Sequence, residues 1–155
     1  MQLVHEFTIR AKLHEPQPVG QGPIGTRVHY GIAGGIVEGE RLNGKVLSGG
    51  EWALIGPDGF LRVDVRLQVQ THDDAHIYVQ YLGLLGMNEA VQHALGNGLG
   101  TEFDDQDFYT NPRLETGDER YAWVNTTFFV GEGRLLPDSG VEYRVWRPAS
   151  KVWSA

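Results

Sequence analysis

The chain has 155 residues with 13 basic and 20 acidic side chains, and its formal net charge of −7 argues against a nucleic-acid partner, which needs a clustered basic surface. It has no cysteine, so a disulfide framework, a thiolate metal site and a cysteine nucleophile are excluded. The N-terminus lacks the basic start of a signal peptide and no run of about eighteen apolar residues occurs, so we expect a cytoplasmic protein with no membrane partner.

The first third of the chain alternates between strand-like and irregular segments. Residues 3–11 alternate apolar and polar side chains, which predicts a half-buried strand. Residues 14–25 hold three prolines and three glycines and are predicted to form a loop, either a binding lid or a passive crossover. Strand character returns over residues 27–37, where Gly34 and Gly35 indicate a bulge or a sharp bend.

Four further strands are predicted over residues 43–47, 51–55, 60–70 and 76–82, joined by short turns. The strand 60–70 alternates most regularly, and its polar face carries Asp64 and Arg66. That face either points to water or lines a polar barrel interior. The turn between the last two strands, with His72 and His76 at its ends, is interpreted as solvated in preference to a metal site.

The last part of the chain is predicted to contain one helix and three strands. The helix covers residues 88–95, with Asn88 as N-cap and Gly96 after its end, and is followed by a polar segment expected to be mobile. A hairpin has strands at residues 111–116 and 120–130, and a final strand covers residues 141–146. Five side chains share one face of the strand 120–130: Tyr121, Trp123, Asn125, Thr127 and Phe129.

The motifs of common enzyme classes are missing from the sequence. There is no HExxH, P-loop, dinucleotide-binding glycine pattern or Gly-x-Ser-x-Gly elbow. What remains is a set of acids, bases and donors on predicted strands: Asp64, Arg66, Tyr78, Arg113, Glu115, Tyr121 and Asn125. Such a set suits acid/base chemistry without a cofactor or metal, and it equally suits recognition of an acidic or carbonyl-bearing ligand.

Several segments together resemble a known family: GGEWALIGPDGFLRVDVRLQVQT, IYVQYLG, YTNPRLETGDERYAWVNTTFFVGEG and VEYRVW. In this order they are similar to domain-of-unknown-function family 3237, also called uncharacterised protein family 0311, over residues 6–146. The resemblance implies a small lipocalin-like antiparallel barrel with an interior cavity and no secure activity. It also favours an interior position for Asp64, Arg66 and Glu115.

We therefore expect an all-β protein, a single domain over residues 1–155. Its eight to ten antiparallel strands close into a lipocalin-like or calycin-like barrel with one short helix. The alternative is an open sandwich, whose edges would need cover. The apolar faces of residues 60–70 and 120–130 exceed what one small barrel covers, which favours a homodimer.

The favoured function is a cofactor-independent isomerase, cyclase or lyase acting on a small aromatic or carbonyl-containing metabolite. Asp64 is expected to be the general base and Glu115 a second acid/base group, with Arg66 and Arg113 beside them to tune their pKa values. The expected ligand-binding residues are Trp52, Tyr78, Tyr121, Trp123, Asn125 and Arg27. A ligand-binding barrel without catalysis, or a self-associating structural protein with a filled interior, are the alternatives.

Overall fold

A computed structural model describes residues 1–150 and contains ten strands in one antiparallel sheet, with one α-helix and two 3-10 helices. Residues 151–155 of the expected domain lie outside the described part. The helical segments are α1 (Glu89–Asn97) and the 3-10 helices Phe103–Asp105 and Glu119–Thr126. The strands are β1 (Gln2–Leu13), β2 (Gln17–Gly22), β3 (Gly25–Gly39), β4 (Gly44–Ile55), β5 (Phe60–Thr71), β6 (His76–Gly86), β7 (Phe108–Thr110), β8 (Arg113–Glu115), β9 (Val130–Leu136) and β10 (Gly140–Ala149).

Eight of these strands close into a barrel, which confirms the expected fold class. The hydrogen-bonded order runs β1-β10-β9-β7-β6-β5-β4-β3, and β3 pairs again with β1. The first and last strands therefore pair, as a closed barrel requires. Strand β2 extends β3 as a hairpin outside the ring, and β8 pairs with β6 beside β7.

Strand β5 shows which side chains face the interior. Val63, Val65, Leu67 and Val69 are at most 3% exposed, while the residues between them are more accessible to solvent. Because side chains alternate across a strand, these valines and this leucine fill the barrel. Asp64 and Arg66 lie on the outer face, so the expectation that they line the interior is wrong.

Two glycine-rich segments differ from their predictions. Within the predicted loop, Gln17–Gly22 forms strand β2, because backbone pairing with β3 outweighs the local breaking tendency of its proline and glycines. The two predicted strands at 43–47 and 51–55 are one continuous strand, β4, with a bulge between Val46 and Ser48. At Gly49 (φ +155°) an added Cβ would lie 2.2 Å from the carbonyl oxygen of Arg66, so glycine permits this close approach.

The prediction of a second hairpin strand over residues 120–130 is also wrong, because most of that segment forms the 3-10 helix Glu119–Thr126. Contacts with distant residues hold it. The Tyr121 hydroxyl donates to Asp73 at 2.7 Å, and the Asn125 side chain accepts from the amide of Thr116 at 2.8 Å. These side-chain bonds fix a compact turn where alternation alone favoured an extended chain.

Helix α1 is present as predicted and begins at the expected cap. The Asn88 side chain accepts from the amide of Val91 at 2.9 Å, and Val91 and Ala94 are buried against the barrel. The helix ends at Asn97 and is capped by Gly98 (φ 65°), two residues beyond the expected Gly96. The segment after the helix is anchored to β9, for example by a hydrogen bond from the Gln106 side chain to the carbonyl oxygen of Gly133. Within residues 1–150 none of the helices has the length and apolar character to cross a membrane.

Candidate functional site

A row of side chains crosses the inner face of four neighbouring strands. The register pairs Tyr30 with Glu51, Glu51 with Val65, and Val65 with Tyr81. Directly opposed residues of antiparallel strands point to the same face, with Cβ atoms about 5 Å apart. The carboxylate of Glu51 is thereby placed beside the phenol of Tyr30, with a second phenol, Tyr81, one strand further on beyond Val65.

Glu51 is the exceptional member of this row. Its side chain is buried, and among residues 1–150 nothing forms an ion pair or a hydrogen bond with its carboxylate. Burial raises its pKa to about 7, because an ionised carboxylate loses hydration without gaining a compensating cation. Near neutral pH the group therefore exists in both protonation states, as a general acid or base requires.

Three aromatic rings lie together beside this row. Tyr143 packs edge-on against Tyr81 and Phe108, with ring centroids 5.1 and 5.3 Å apart. The Tyr143 hydroxyl is buried, and within the described chain it makes no hydrogen bond of good geometry; the Tyr81 hydroxyl is the group near enough to interact with it. Burial, then the charges of the nearby Tyr81 and Glu51 and a hydrogen-bonding contact with Tyr81, raise the pKa of Tyr143, so it stays a neutral phenol that can donate a hydrogen bond.

Glu51, Phe108 and Tyr143 line a cavity of about 280 Å³ at the end of the barrel covered by α1, which we name the Glu51 cavity. Tyr30, Glu51 and Tyr143 supply its polar side-chain groups together with Ser139. No lysine, arginine or histidine lines it among the described residues. The other lining residues are apolar or glycine: Leu13, Pro16, Leu61, Val63, Leu85, Ala94, Leu95, Gly98, Leu99, Phe108, Leu135, Leu136, Gly140 and Val141.

Three sequence-predicted site residues meet outside the barrel. Arg27, Trp52 and Asp64 line a depression of about 620 Å³ on the outer face of β3 to β7, which we name the outer pocket. One oxygen of Asp64 is buried there without a hydrogen-bond partner. The remaining lining residues are Leu54, Arg62, Val63, Leu82, Gly83, Leu84, Tyr109, Thr110 and Asn111.

Four more of the predicted residues meet in a second outer depression, of about 670 Å³, beside β8. They are Tyr78, Arg113, Glu115 and Asn125. Arg113 and Glu115 are exposed, so the interior position expected for Glu115 is wrong. No ion pair within residues 1–150 joins Arg113 to Glu115, nor Arg66 to Asp64, so the two expected carboxylate–arginine pairs are not formed.

Two other predicted residues, Trp123 and Tyr121, serve the packing of the barrel end. Trp123 packs against Phe129, with the guanidinium of Arg41 3.7 Å from its ring centroid. Tyr121 is buried and bonded to Asp73, as described above. Arg66 is exposed and lines neither outer depression. In the region that the structure describes, no three His, Cys, Asp or Glu side chains converge to hold a metal ion.

Glu51 is not among the sequence-based candidates, although its strand was predicted. Trp52 and Leu54 share the other face of this strand, and their large apolar side chains are typical of a core. That face is nevertheless the outer one, where Trp52 is 43% exposed. The available signal was weaker: Glu51 shares its face with Ala53, a small residue suited to a narrow barrel interior. A charge on such a face is a candidate for a buried functional group.

Comparison with known proteins gives a family and a set of barrels. A family model described as "Protein of unknown function (DUF3237)" matches residues 1–148. A UPF0311 protein of Rhodopseudomonas palustris is 31% identical over 142 residues, covering 89% of this chain and 91% of the relative. A protein of Penicillium roqueforti named "PR-toxin biosynthesis cluster protein 7" is 25% identical over 155 residues, covering 87% and 83%.

Solved structures share the fold over nearly the whole chain. A Rhodopseudomonas palustris protein of unknown function superposes with a TM-score of 0.84 at 28% identity, covering 94% of this chain and 96% of the other. An Acinetobacter baumannii protein described as β-barrel-like gives 0.79 at 26% identity, with 94% of each chain covered. A Penicillium herquei protein described as an enzyme gives 0.68 at 21% identity, covering 94% and 92%.

Proposed function

Because the chain belongs to the DUF3237 family of proteins of unknown function, no activity follows from its membership, and we propose that it is a cofactor-independent acid/base enzyme whose active site is the Glu51 cavity. One observation carries the proposal: Glu51 is a buried carboxylate with no cation beside it, and its pKa of about 7 suits proton transfer at neutral pH. The acid/base role expected for Asp64 thus moves to a residue inside the barrel.

The cavity suits a small neutral substrate that contains a carbonyl or phenol oxygen. Ionising a second group inside an apolar cavity of about 280 Å³ without a cation would be costly, so an anionic substrate is disfavoured. The Tyr143 hydroxyl, whose contact with Tyr81 falls short of good hydrogen-bond geometry, supplies a hydrogen-bond donor for the substrate oxygen. Apolar walls exclude water and orient the carbon skeleton.

The chemistry follows from these two groups. The Glu51 carboxylate takes a proton from the carbon or hydroxyl activated by the carbonyl group, while Tyr143 stabilises the negative charge that develops on the oxygen. The protonated Glu51 then returns the proton at another atom. The outcome is an isomerisation, a ring closure or, if a leaving group departs, an elimination.

Two likenesses are compatible with an enzymatic role. The Penicillium herquei barrel is described as an enzyme, and the Penicillium roqueforti relative as a biosynthesis cluster protein. At 21% identity the first shares only the fold with this chain, so the proposal depends on the Glu51 cavity and not on these descriptions.

Hydrogen–deuterium exchange tests the proposal without knowledge of the natural substrate. A panel of small neutral aryl ketones such as 1-indanone is incubated with the protein in D2O, and NMR measures both binding and loss of the α-hydrogen signal. We expect faster exchange with a rate that rises through an apparent pKa near 7. Glu51→Gln should lower the protein-dependent rate about a hundredfold or more while ketone binding persists.

A matched control is Glu115→Gln, which removes an exposed outer-face carboxylate and should leave the exchange rate unchanged. Equal exchange in wild type and Glu51→Gln would remove Glu51 as the base. Ketones that bind in the cavity without any exchange would favour the alternative of a ligand-binding barrel without catalysis.

A further inference from the structure

Strand β8 pairs with β6 along one edge and, within residues 1–150, with no strand along the other. Between this free edge and residues 124–128 lies the outer depression of about 670 Å³ described above, which we name the β8 depression. Among the described residues, none lines both the β8 depression and the Glu51 cavity. The acid/base proposal therefore leaves the β8 depression without a role.

The hydrogen bonds of β6 show which backbone groups of β8 face the free edge. The amide of Asn111 donates to the carbonyl oxygen of Leu82 at 3.1 Å, so these residues form a hydrogen-bonded pair. Such pairs recur at every second residue of an antiparallel ladder, and the same register continues from β7 through β8. Leu114, opposite Val79, is therefore in a non-hydrogen-bonded pair. Its N–H and C=O point away from β6 and toward the β8 depression.

Thr116, the next residue of this edge with the same orientation, shows what such a pair of groups binds. The side-chain amide of Asn125 accepts from the Thr116 N–H at 2.8 Å and donates to the Thr116 carbonyl oxygen at 3.0 Å. One carboxamide thus satisfies both backbone groups of one residue.

Leu114 presents the same two groups two positions earlier, and within residues 1–150 neither of them has a hydrogen-bond partner. The residue is only 6% exposed, and the backbone groups of buried residues normally have partners. The unpaired donor and acceptor of Leu114 therefore mark a position for a ligand that carries both an acceptor and a donor.

We propose that the β8 depression binds a small planar molecule through a carboxamide or lactam group, whose C=O accepts from the Leu114 N–H and whose N–H donates to the Leu114 C=O. A carboxylate only accepts and an ammonium group only donates, so neither satisfies both backbone groups. The exposed side chains of Arg113 and Glu115 also line the depression with opposite charges, which favours a ligand without net charge. The rings of Tyr78 and Phe128 are 40% and 63% exposed there and offer apolar surface to a planar ring.

NMR of backbone amides tests the site with the isotope-labelled full chain. Benzamide supplies a carboxamide and uracil a lactam, and at least one of them should shift the Leu114 amide resonance in a saturable way at millimolar concentration. The one that does so tells which of the two groups the site takes. N,N-dimethylbenzamide and benzoate lack the N–H and should bind at least about tenfold more weakly than benzamide, because the Leu114 carbonyl would lose its donor.

Two variants at one position separate the backbone groups from the side chain. Leu114→Pro removes an N–H that takes no part in the pairing with β6, and it should weaken benzamide binding about tenfold, followed at the Phe128 amide. Leu114→Ala is the matched control, since it shortens the same buried side chain but keeps both backbone groups, and it should bind benzamide as wild type does.

If Leu114→Pro does not fold, the ligand series on wild type decides by itself. A Leu114 amide that neither benzamide nor uracil shifts, with changes confined to the Glu51 cavity at Leu85, would overturn the proposal. Equal binding of benzamide and N,N-dimethylbenzamide, or undiminished binding to folded Leu114→Pro, would overturn it as well.

Discussion

On the outer face of β1, β9 and β10, Glu142 lies between Arg10 and Arg134, whereas on the inner face of β4 Glu51 lies among phenols and hydrocarbon. Both carboxylates are buried, at 4% and 8% exposure. The strand register explains why Glu142 has two arginine partners, since Arg10, Glu142 and Arg134 are directly opposed on three neighbouring strands. Glu51 has tyrosine and valine in the equivalent places.

The difference separates a carboxylate that supports the fold from one that burdens it. Glu6, like Glu142, is a buried carboxylate paired with two arginines. Burial alone would raise the pKa of Glu6, but hydrogen bonds from Arg41 and Arg147 outweigh burial and lower it. For Glu51 burial acts without opposition. A group held in an unfavourable ionisation equilibrium costs stability, and such a cost is typical of functional sites.

The largest expected effect concerns the pH dependence of stability at Glu51. Its pKa rises from 4.5 in the unfolded chain to about 7 in the folded one, so the folded state holds the extra proton and stability falls as pH rises from 4.5 to 7. Relative to Glu51→Gln, wild type should lose about 3 kcal/mol over this window and little beyond it. Urea unfolding at several pH values measures the difference.

Glu115→Gln, which changes an exposed carboxylate, provides the reference slope for that series. If wild type and Glu51→Gln showed the same dependence on pH between 4.5 and 8, Glu51 would not be the isolated acid that its surroundings indicate.

The second prediction is that Glu142→Gln and Glu51→Gln change the free energy of unfolding in opposite directions at pH 7. Glu142→Gln leaves Arg10 and Arg134 without their shared buried acceptor, and we expect a loss of about 2 kcal/mol in the free energy of unfolding at pH 7. Under the same conditions Glu51→Gln should be stabilising. Urea unfolding of both variants beside wild type gives the comparison, and two changes of equal sign would contradict it.

A smaller effect is expected at Tyr143, whose buried hydroxyl makes no hydrogen bond of good geometry within residues 1–150. Tyr143→Phe removes the desolvation cost of that hydroxyl and should raise the free energy of unfolding by about 1 kcal/mol. The same change should weaken ketone binding in the Glu51 cavity, because the donor for the ligand oxygen is lost. Tyr121→Phe is the matched control: it removes a bonded hydroxyl, so it should destabilise and leave binding unchanged.

The smallest effect concerns acid sensitivity at Glu6. Because its folded pKa lies below 4.5, its contribution to stability is present above that pH and is lost as pH falls through the folded value. Glu6→Gln should therefore show a shallower loss of stability below pH 4.5 than wild type. Thermal unfolding in acetate and formate buffers checks this, and a steeper loss in the variant would reverse the assignment.

Local patterns in the sequence predicted most of the barrel. Alternation located β1, β5 and β6, and the Asn88 cap located α1, because both signals depend on residues a few positions apart. The 3-10 helix Glu119–Thr126 was predicted as a strand. Its conformation depends on Tyr121 meeting Asp73, a residue 48 positions away, and no local pattern contains that bond.

The sequence by itself determined that the chain forms mostly alternating strands and which side chains share each face. It placed Glu51 with Ala53 and Trp52 with Leu54, because the period of two is a property of a single strand. Only the tertiary structure decided which face is inside. Closure of the sheet turned Glu51 inward, away from any arginine, and left Asp64 and Arg66 outside, because the direction of curvature is set by the pairing of all eight strands together.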